Sequence, residues 1–298
     1  MKRLLLLQII FLPVFLFGQC NLLPTSTTHE IVKHTYYTLS YSKKDEQAEW
    51  VAYLLTRSML TGQSERGNNF RPDPSVPNGS AQLSDYSKSG YDRGHLCPAG
   101  DMTFNAQAMS ETFYLSNMSP QVPAFNRGIW KSLESLVREW AEEDDSIFVV
   151  TGGILSNPKG SIGEDRVTVP SRFYKVIYDF TGEKKMIAFI LPNKKGIKLL
   201  SEYVVTVDDV GRLTGIDFFP CLPDSLKNRL EGTSDISKWS FNLTSTSSSG
   251  KSVQFNGITN TSNITSGKKQ CAVITKAGMR CKRLALAWSD YCWQRQRY

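Results

Sequence analysis

Four consecutive residues, Asp92-Arg93-Gly94-His95, set a carboxylate, a guanidinium and an imidazole within one short segment. Imidazole titrates near ~6.5, so a histidine is a ready proton acceptor at neutral pH. Three histidines occur in the chain, His29, His34 and His95, and the neighbourhood of His95 makes it the first candidate for proton chemistry. Downstream, Asn117, Gln121 and Asn126 lead into a run carrying Glu134 and Arg138. An amide oxygen can ligate a hard cation, a carboxylate can orient the waters around it, and a guanidinium matches phosphate bidentately. Each residue alone has a plainer role: a structural histidine, an asparagine cap before a helix, a surface Glu/Arg pair four apart. Their joint occurrence is what points to a site.

The element that must position them runs from Asn126 to Glu143. There Ile129, Leu133, Leu136, Val137 and Trp140 recur at spacings of three and four, which predicts an amphipathic helix. At about 100° per residue, Asn126, Glu134 and Arg138 fall along one edge of the apolar stripe, where they could wall a groove. Lys131 and Glu142-Glu143 read as the solvated face. His34–Tyr41 and Trp50–Leu55 read as strands, and Ile147–Val150 as a buried strand leaving through Thr151-Gly152-Gly153. Arg166–Asp179 and Lys185–Leu191 read as two further strands, and Ile197–Val205 as a helix followed by a strand. Gly62–Ser84, rich in Gly, Asn, Asp and Pro, reads as an extended loop.

Three segments carry a resemblance: Tyr91-Asp-Arg-Gly-His-Leu-Cys-Pro-Ala-Gly-Asp-Met102, Phe113-Tyr-Leu-Ser-Asn-Met-Ser-Pro-Gln121 and Asn126-Arg-Gly-Ile-Trp-Lys-Ser-Leu-Glu134. Together they resemble the DNA/RNA non-specific endonucleases, the ββα-metal or His-Me finger group, and the similarity runs from about Tyr36 to about Glu231. The resemblance implies an α+β fold: a mixed, largely antiparallel sheet flanked by helices, with an embedded ββα-metal finger. It implies phosphodiester hydrolysis with His95 as general base, Mg²⁺ (or Mn²⁺ in its place) held directly by Asn126, and Glu134 acting on the metal through water. Arg93 and Arg138 are then the catalytic charge clamps on phosphate. Arg66, in a loop whose Phe70–Pro77 portion also resembles the family, is matched to a phosphate-contacting arginine; as a lone loop residue it reads equally as a solvated one. Asn117 and Gln121 are expected to hold the finger in place, and Asp92 to orient it or pair with an arginine.

Around this domain, residues 19–240, lie three other segments. Met1 to Gly18 has Lys2-Arg3 before a short apolar run and reads as a signal peptide, which predicts a secreted or periplasmic protein. Its apolar run is shorter than the roughly 20 residues of a membrane span, so no stable membrane insertion is expected; a lipoprotein cleaved before Cys20 fits Phe17 and Gln19 poorly. Residues 241–267, dominated by Ser, Thr, Asn and Gly, read as a linker. Residues 268–298 form a basic tail with Cys271, Cys281 and Cys292; Arg295 stands where similar appendages carry a fourth, histidine ligand, so a zinc site there is one ligand short. With Cys20, Cys97 and Cys221 the mature cysteines are even in number, and sequence does not give their pairing.

The net charge of +7 is unevenly placed: residues 1–18 contribute +2 and 267–298 contribute +7, leaving −2 for residues 19–266. The basic pI therefore says nothing for nucleic-acid binding by the catalytic region. DNA and RNA are the expected substrates, with a homodimer and an inhibitor protein as partners that the sequence leaves open. Two rival readings stand beside the endonuclease: a non-catalytic nucleic-acid-binding protein using the basic tail, and a phosphodiesterase of small nucleotides.

Overall fold

The computed structural model describes residues 20–241. The leader, nearly all of the linker and the tail lie outside the described residues. In chain order the elements are β1 (Ile31–Lys33), β2 (Thr38–Ser42), β3 (Gln47–Thr56), α1 (Leu83–Tyr86), β4 (Asp92–His95), α2 (Ala106–Glu111), β5 (Met118–Gln121) and α3 (Lys131–Glu143). There follow β6 (Ser146–Gly153), β7 (Ser161–Ile162), β8 (Val167–Thr168), β9 (Arg172–Asp179), β10 (Lys185–Pro192), β11 (Val204–Val205), α4 (Val207–Thr214) and α5 (Asp224–Glu231).

Seven strands form the main sheet in the order β1-β2-β3-β6-β9-β10-β11. The fold is α+β as expected, but the sheet is antiparallel throughout and not mixed; a parallel contact appears as the isolated bridge between Arg71 and Tyr114. Its central strands are buried on both faces, so they read as near-continuous apolar runs. Residue parity assigns the faces. Tyr53, Val149, Phe173, Ile177 and Phe189 face α3, whose Leu133, Leu136, Val137 and Trp140 fill that layer. Trp50, Val150, Tyr174, Val176 and Ile190 face the other way, against Val207, Val210 and Leu230 of α4 and α5.

Several predicted boundaries move. The expected 166–179 strand is two, since Val167–Thr168 pairs with Ser161–Ile162 and only Arg172–Asp179 joins the main sheet. The predicted 34–41 strand begins at Thr38, and the expected helix within 197–205 is a single 3₁₀ turn at Leu200–Tyr203. Phe241, which the sequence assigns to the linker, packs edge-on against Trp140 with ring centroids 5.7 Å apart. Three of the six cysteines lie among the described residues. Cys20 is disulfide-bonded to Cys221, tying the first described residue to the segment before α5, while Cys97 is a buried free thiol.

The smaller β4–β5 hairpin carries the site. Asp92 faces Gln121, Arg93 faces Pro120, Gly94 faces Ser119 and His95 faces Met118. A side-chain relay ties it to β3 of the main sheet and through β3 to β8. Ser119 Oγ donates to Gln47 Oε1 at 2.6 Å, and Gln47 Nε2 donates to the Thr168 carbonyl at 2.5 Å.

Candidate active site

After β5 the chain enters α3 through a widened turn, Phe125–Trp130, and not through a continuous α-helix as expected. The break is at Gly128, whose backbone (φ −107°, ψ −114°) is far from helical. Widened turns of this kind recur at functional sites because they re-aim side chains. Here the turn carries Asn126, so the angular argument from a regular 126–143 helix fails for Asn126 and holds only for Glu134 and Arg138 within α3.

Even so, the six residues singled out as site candidates converge. An open cleft of about 550 Å³ is lined by Arg66, Arg93, His95, Asn126, Glu134 and Arg138, together with Phe70, the Pro98–Gly100 turn, Arg127 and Lys131. His95 is only 8% exposed, and its Nε2 is buried without a hydrogen-bond partner among the described residues. The ring is wedged between Phe113, edge-on with centroids 5.1 Å apart, and Phe70 at 5.8 Å. Burial, reinforced by the positive charges of Arg66 and Arg93, pulls its imidazolium from 6.5 down to about 3. At neutral pH the imidazole is therefore uncharged, with an orphaned nitrogen that buried polar groups rarely keep without a function.

The two arginines nearest His95 rest on the same aromatic cradle. Arg93 lies over the Phe70 ring at 4.1 Å and Arg66 over Phe113 at 5.5 Å. Stacking holds the guanidinium planes while leaving their N–H edges free for an anion. Arg138 differs. Its Nη1 donates to buried Asp101 at 2.9 Å and its Nη2 to Ser135 Oγ at 3.0 Å, so much of its fork is already committed.

Asp92 pairs with an arginine, the role expected of it, and the arginine is Arg127, at 2.6 and 2.8 Å. The same carboxylate accepts from Asn126 Nδ2 at 2.9 Å. A carboxylate can only accept, so this bond fixes the amide flip and leaves Asn126 Oδ1 as the acceptor on the other side. Glu134 is half-buried and makes no hydrogen bond or close ion pair among the described residues. Burial holds its carboxyl up at about 7 against the pull of Lys175.

Among the described residues no cluster of three or more His, Cys, Asp or Glu forms a metal cage. A closed transition-metal site is thus not built here. A hard divalent ion that keeps most of its waters needs only one or two protein oxygens, and Asn126 Oδ1 with Glu134 fits that donor set.

Asn117 behaves as predicted. It is fully buried, and its Oδ1 accepts from Cys97 N at 2.8 Å while Nδ2 donates to the carbonyls of Cys97 and Thr112 at 2.9 and 2.8 Å, pinning the chain just after His95. Gln121 is also buried but works by packing: neither end of its amide has a partner, and it covers Gly94. A Cβ at Gly94 would lie 2.2 Å from the Gln121 side chain. Gly94→Ala is therefore expected to cost about 1–3 kcal/mol by overpacking and to displace His95, with melting temperature and cleavage rate falling together. Adding Gln121→Ala should restore much of the stability; if the double variant melts no higher, the clash is not the cause.

Sequence reasoning missed Phe70, Arg127, Lys131 and Lys175. Lys131 was read as solvated face, yet it borders the cleft. Lys175 sits on β9 among apolar residues, wholly buried, donating to Thr151 Oγ1 at 2.6 Å beneath the Trp130 ring. A lysine at an inward strand position was the available signal.

The domain that carries this cleft is similar to known proteins. Residues 21–225 match the family described as DNA/RNA non-specific endonuclease. Nuclease C1 of Cunninghamella echinulata is 39% identical over 211 residues, covering 65% of this chain and 84% of that protein. The mitochondrial nuclease EXOG of Mus musculus is 37% identical over 215 residues, covering 66% of this chain; the chain spans 58% of that relative's length. A chain in the crystal structure of the EndoG/EndoGI complex superposes with a TM-score of 0.61 at 33% identity, covering 65% of this chain and 87% of its own. The chain belongs to the DNA/RNA non-specific endonuclease family.

Proposed function

We propose that this protein is a metal-dependent endonuclease that hydrolyses phosphodiester bonds of DNA and RNA with little sequence preference, leaving 5′-phosphate ends. The observation that carries this reading is the uncharged, unpartnered Nε2 of His95 in a cleft that also presents Arg66, Arg93, Asn126 and Glu134. His95, uncharged throughout the neutral range, takes a proton from the attacking water, and the negative charge of the bound phosphate raises the low basicity that burial and the two arginines impose. Arg66 and Arg93 bind the non-bridging oxygens of the phosphate, and their charge is matched to the extra negative charge of the transition state. Bound Mg²⁺ would polarise the phosphoryl oxygen and supply a water to the leaving oxygen. Asn126 Oδ1 would hold that ion and Glu134 would orient its waters. Arg138, already held by Asp101, contributes mainly field, and less direct phosphate contact than Arg66 and Arg93.

The deciding experiment is digestion of supercoiled plasmid and of RNA by the purified protein with Mg²⁺, Mn²⁺ or EDTA. Cleavage of both polymers that EDTA abolishes is the expected result. Turnover of a small diester with plasmid left intact would favour the nucleotide phosphodiesterase instead. Binding without cleavage in any metal would favour a non-catalytic protein.

We further propose that the protein is exported and cleaved after Gly18. The Cys20–Cys221 disulfide supports an oxidising compartment, and a sulfur so engaged has no valence left for a lipid thioether. N-terminal sequencing of the mature protein tests this. The basic tail is proposed to tether the enzyme to polyanions. Truncation after Gly250 is expected to leave the rate at saturating substrate nearly intact, raise KM on long nucleic acid and flatten its salt dependence. An unchanged KM and salt slope would instead make the tail a protein-docking or sorting element.

A further inference from the structure

Beyond the cleft, the least explained surface is the loop between β10 and the Leu200–Tyr203 turn. It reads Lys194-Lys-Gly-Ile-Lys-Leu199. Ile197 is 84% exposed and Leu199 73%, the two most exposed large apolar residues among those described. Two such side chains, two positions apart and framed by three lysines, form an apolar patch with a charged rim, the make-up of an interaction surface.

The loop is anchored at both ends. Asn193, at its start, is fully buried: its Oδ1 accepts from Val122 N at 2.8 Å, and its Nδ2 donates to the Pro120 and Pro170 carbonyls at 3.0 and 2.9 Å. The base is thus fixed to β5, the finger strand itself. At the other end Leu199 N donates to Glu202 Oε1 at 3.1 Å and Leu200 is buried. In the middle the backbone lies directly on the widened turn, since a Cβ at Gly196 would fall 2.7 Å from Ile129. Ile129 follows Asn126 by three residues in the same widened turn, and three Cα–Cα steps bound their separation at about 11 Å. One strand of a duplex advances about 3.4 Å per phosphate. The loop therefore stands only a few phosphates from the cleft.

Its charges are crowded and largely unspent. Lys159 donates to the Asn193 carbonyl, and burial together with the charge of Lys194 holds its ammonium below the ordinary lysine range. The Lys198–Glu202 pair, 3.8 Å apart and exposed on both sides, is a weak restraint. Like charges kept together at the flank of an anion-binding cleft are explained if an extended polyanion crosses both.

We propose that this loop is a second nucleic-acid contact, in which Lys194, Lys195 and Lys198 take phosphates of the strand leaving the cleft and Ile197 packs against its sugars or bases. The inference rests on the endonuclease reading and deepens it: long polymers are gripped here, and short diesters are not. A membrane of anionic lipid is the other surface such a loop could meet, but Gly196 packs on Ile129, in the same turn as Asn126 and Arg127, which border the cleft, and this nearness favours nucleic acid.

The test uses the full mature chain and the triple variant Lys194→Gln, Lys195→Gln, Lys198→Gln, with Ile197→Ser made separately. Binding of a labelled DNA duplex is followed in EDTA across a salt series, and plasmid cleavage is followed with Mg²⁺. For the triple variant the slope of log affinity against log salt should become shallower by roughly 2–3, about 0.9 per lost phosphate contact, with kcat at saturation unchanged. Ile197→Ser should weaken binding at unchanged slope. Wild-type affinity and slope in the triple variant would overturn the proposal. So would a kcat that falls as far as affinity, which would make the loop a brace for the finger. Loss of sedimentation with phosphatidylserine vesicles, with duplex binding intact, would assign the loop to membranes and also overturn it. If the wild-type protein cuts nothing but the triple variant still loses duplex binding, the endonuclease reading fails and the contact stands.

Discussion

Replacing His95 with alanine is expected to lower the cleavage rate by about 10²–10⁴-fold, the usual worth of a positioned general base, while the finger stays folded. The backbone around His95 is held by others: the β4–β5 ladder pairs it with Met118, and Asn117 pins Cys97 two residues on. Among the described residues no hydrogen bond ends on Nε2, so the variant loses ring packing against Phe70 and Phe113 and little else. His95→Gln, which keeps side-chain bulk but cannot act as a base, should be as inactive as His95→Ala and closer to wild type in melting temperature. The pH behaviour gives a second check. A base must be unprotonated to work, and burial with Arg66 and Arg93 lowers this imidazolium to about 3, so protonation of His95 should not remove activity between pH 6.5 and 5. Its imidazole resonance in an NMR titration of the free protein should stay in the neutral position through that window. A folded alanine variant that cuts at the wild-type rate would remove His95 from the mechanism. An imidazole titrating near 6.5 would show that the burial argument is wrong.

The cleft was legible in the sequence to the extent that it is made of short-range pattern. Asp92-Arg93-Gly94-His95 is one strand, and Glu134 and Arg138 share one helical turn spacing, so their types and intervals survive folding unchanged. What the pattern could not show is whatever depends on partners distant in the chain. Arg138 looked like a free clamp because nothing near it in sequence announces Asp101, 37 residues away. Gln121 is expected to hold the finger, but nothing in its sequence neighbourhood says that it does so by covering Gly94 across the hairpin and not through hydrogen bonds. Asn126 was placed on a regular helix because one glycine inside an apolar repeat is tolerated by periodicity, although Gly128 in fact opens the turn. The charge balance misled in a similar way: residues 19–266 sum to −2, yet Arg66, Arg93, Arg127, Lys131 and Arg138 all border one cleft with Glu134. Net charge averages over a surface, and binding responds to local field.

Asn126→Ala is the second substitution expected to be severe, and its first readout is metal binding, not activity. The amide makes one bond to the fold, Nδ2 to Asp92, and Asp92 keeps two bonds to Arg127 when that one is lost. The hairpin should therefore tolerate alanine, and the loss should be concentrated on Oδ1. With no other His, Cys, Asp or Glu cluster among the described residues to take over, divalent affinity measured by Mn²⁺ paramagnetic resonance should fall by more than the 10–100-fold typical of losing an outer-sphere partner. Glu134→Gln should fall within that 10–100-fold range, because an amide can still orient metal-bound water but carries no charge. Glu134 also gives the pair a pH signature. Burial holds its carboxyl up at about 7, and a metal prefers it ionised, so Mn²⁺ binding should weaken as pH falls through the neutral range and release fewer protons in Glu134→Gln. If Asn126→Ala binds Mn²⁺ as tightly as the wild type, the ion is held elsewhere and Asn126 only orients Asp92. If Glu134→Gln loses more affinity than Asn126→Ala, the two roles are exchanged and the carboxylate is the direct ligand.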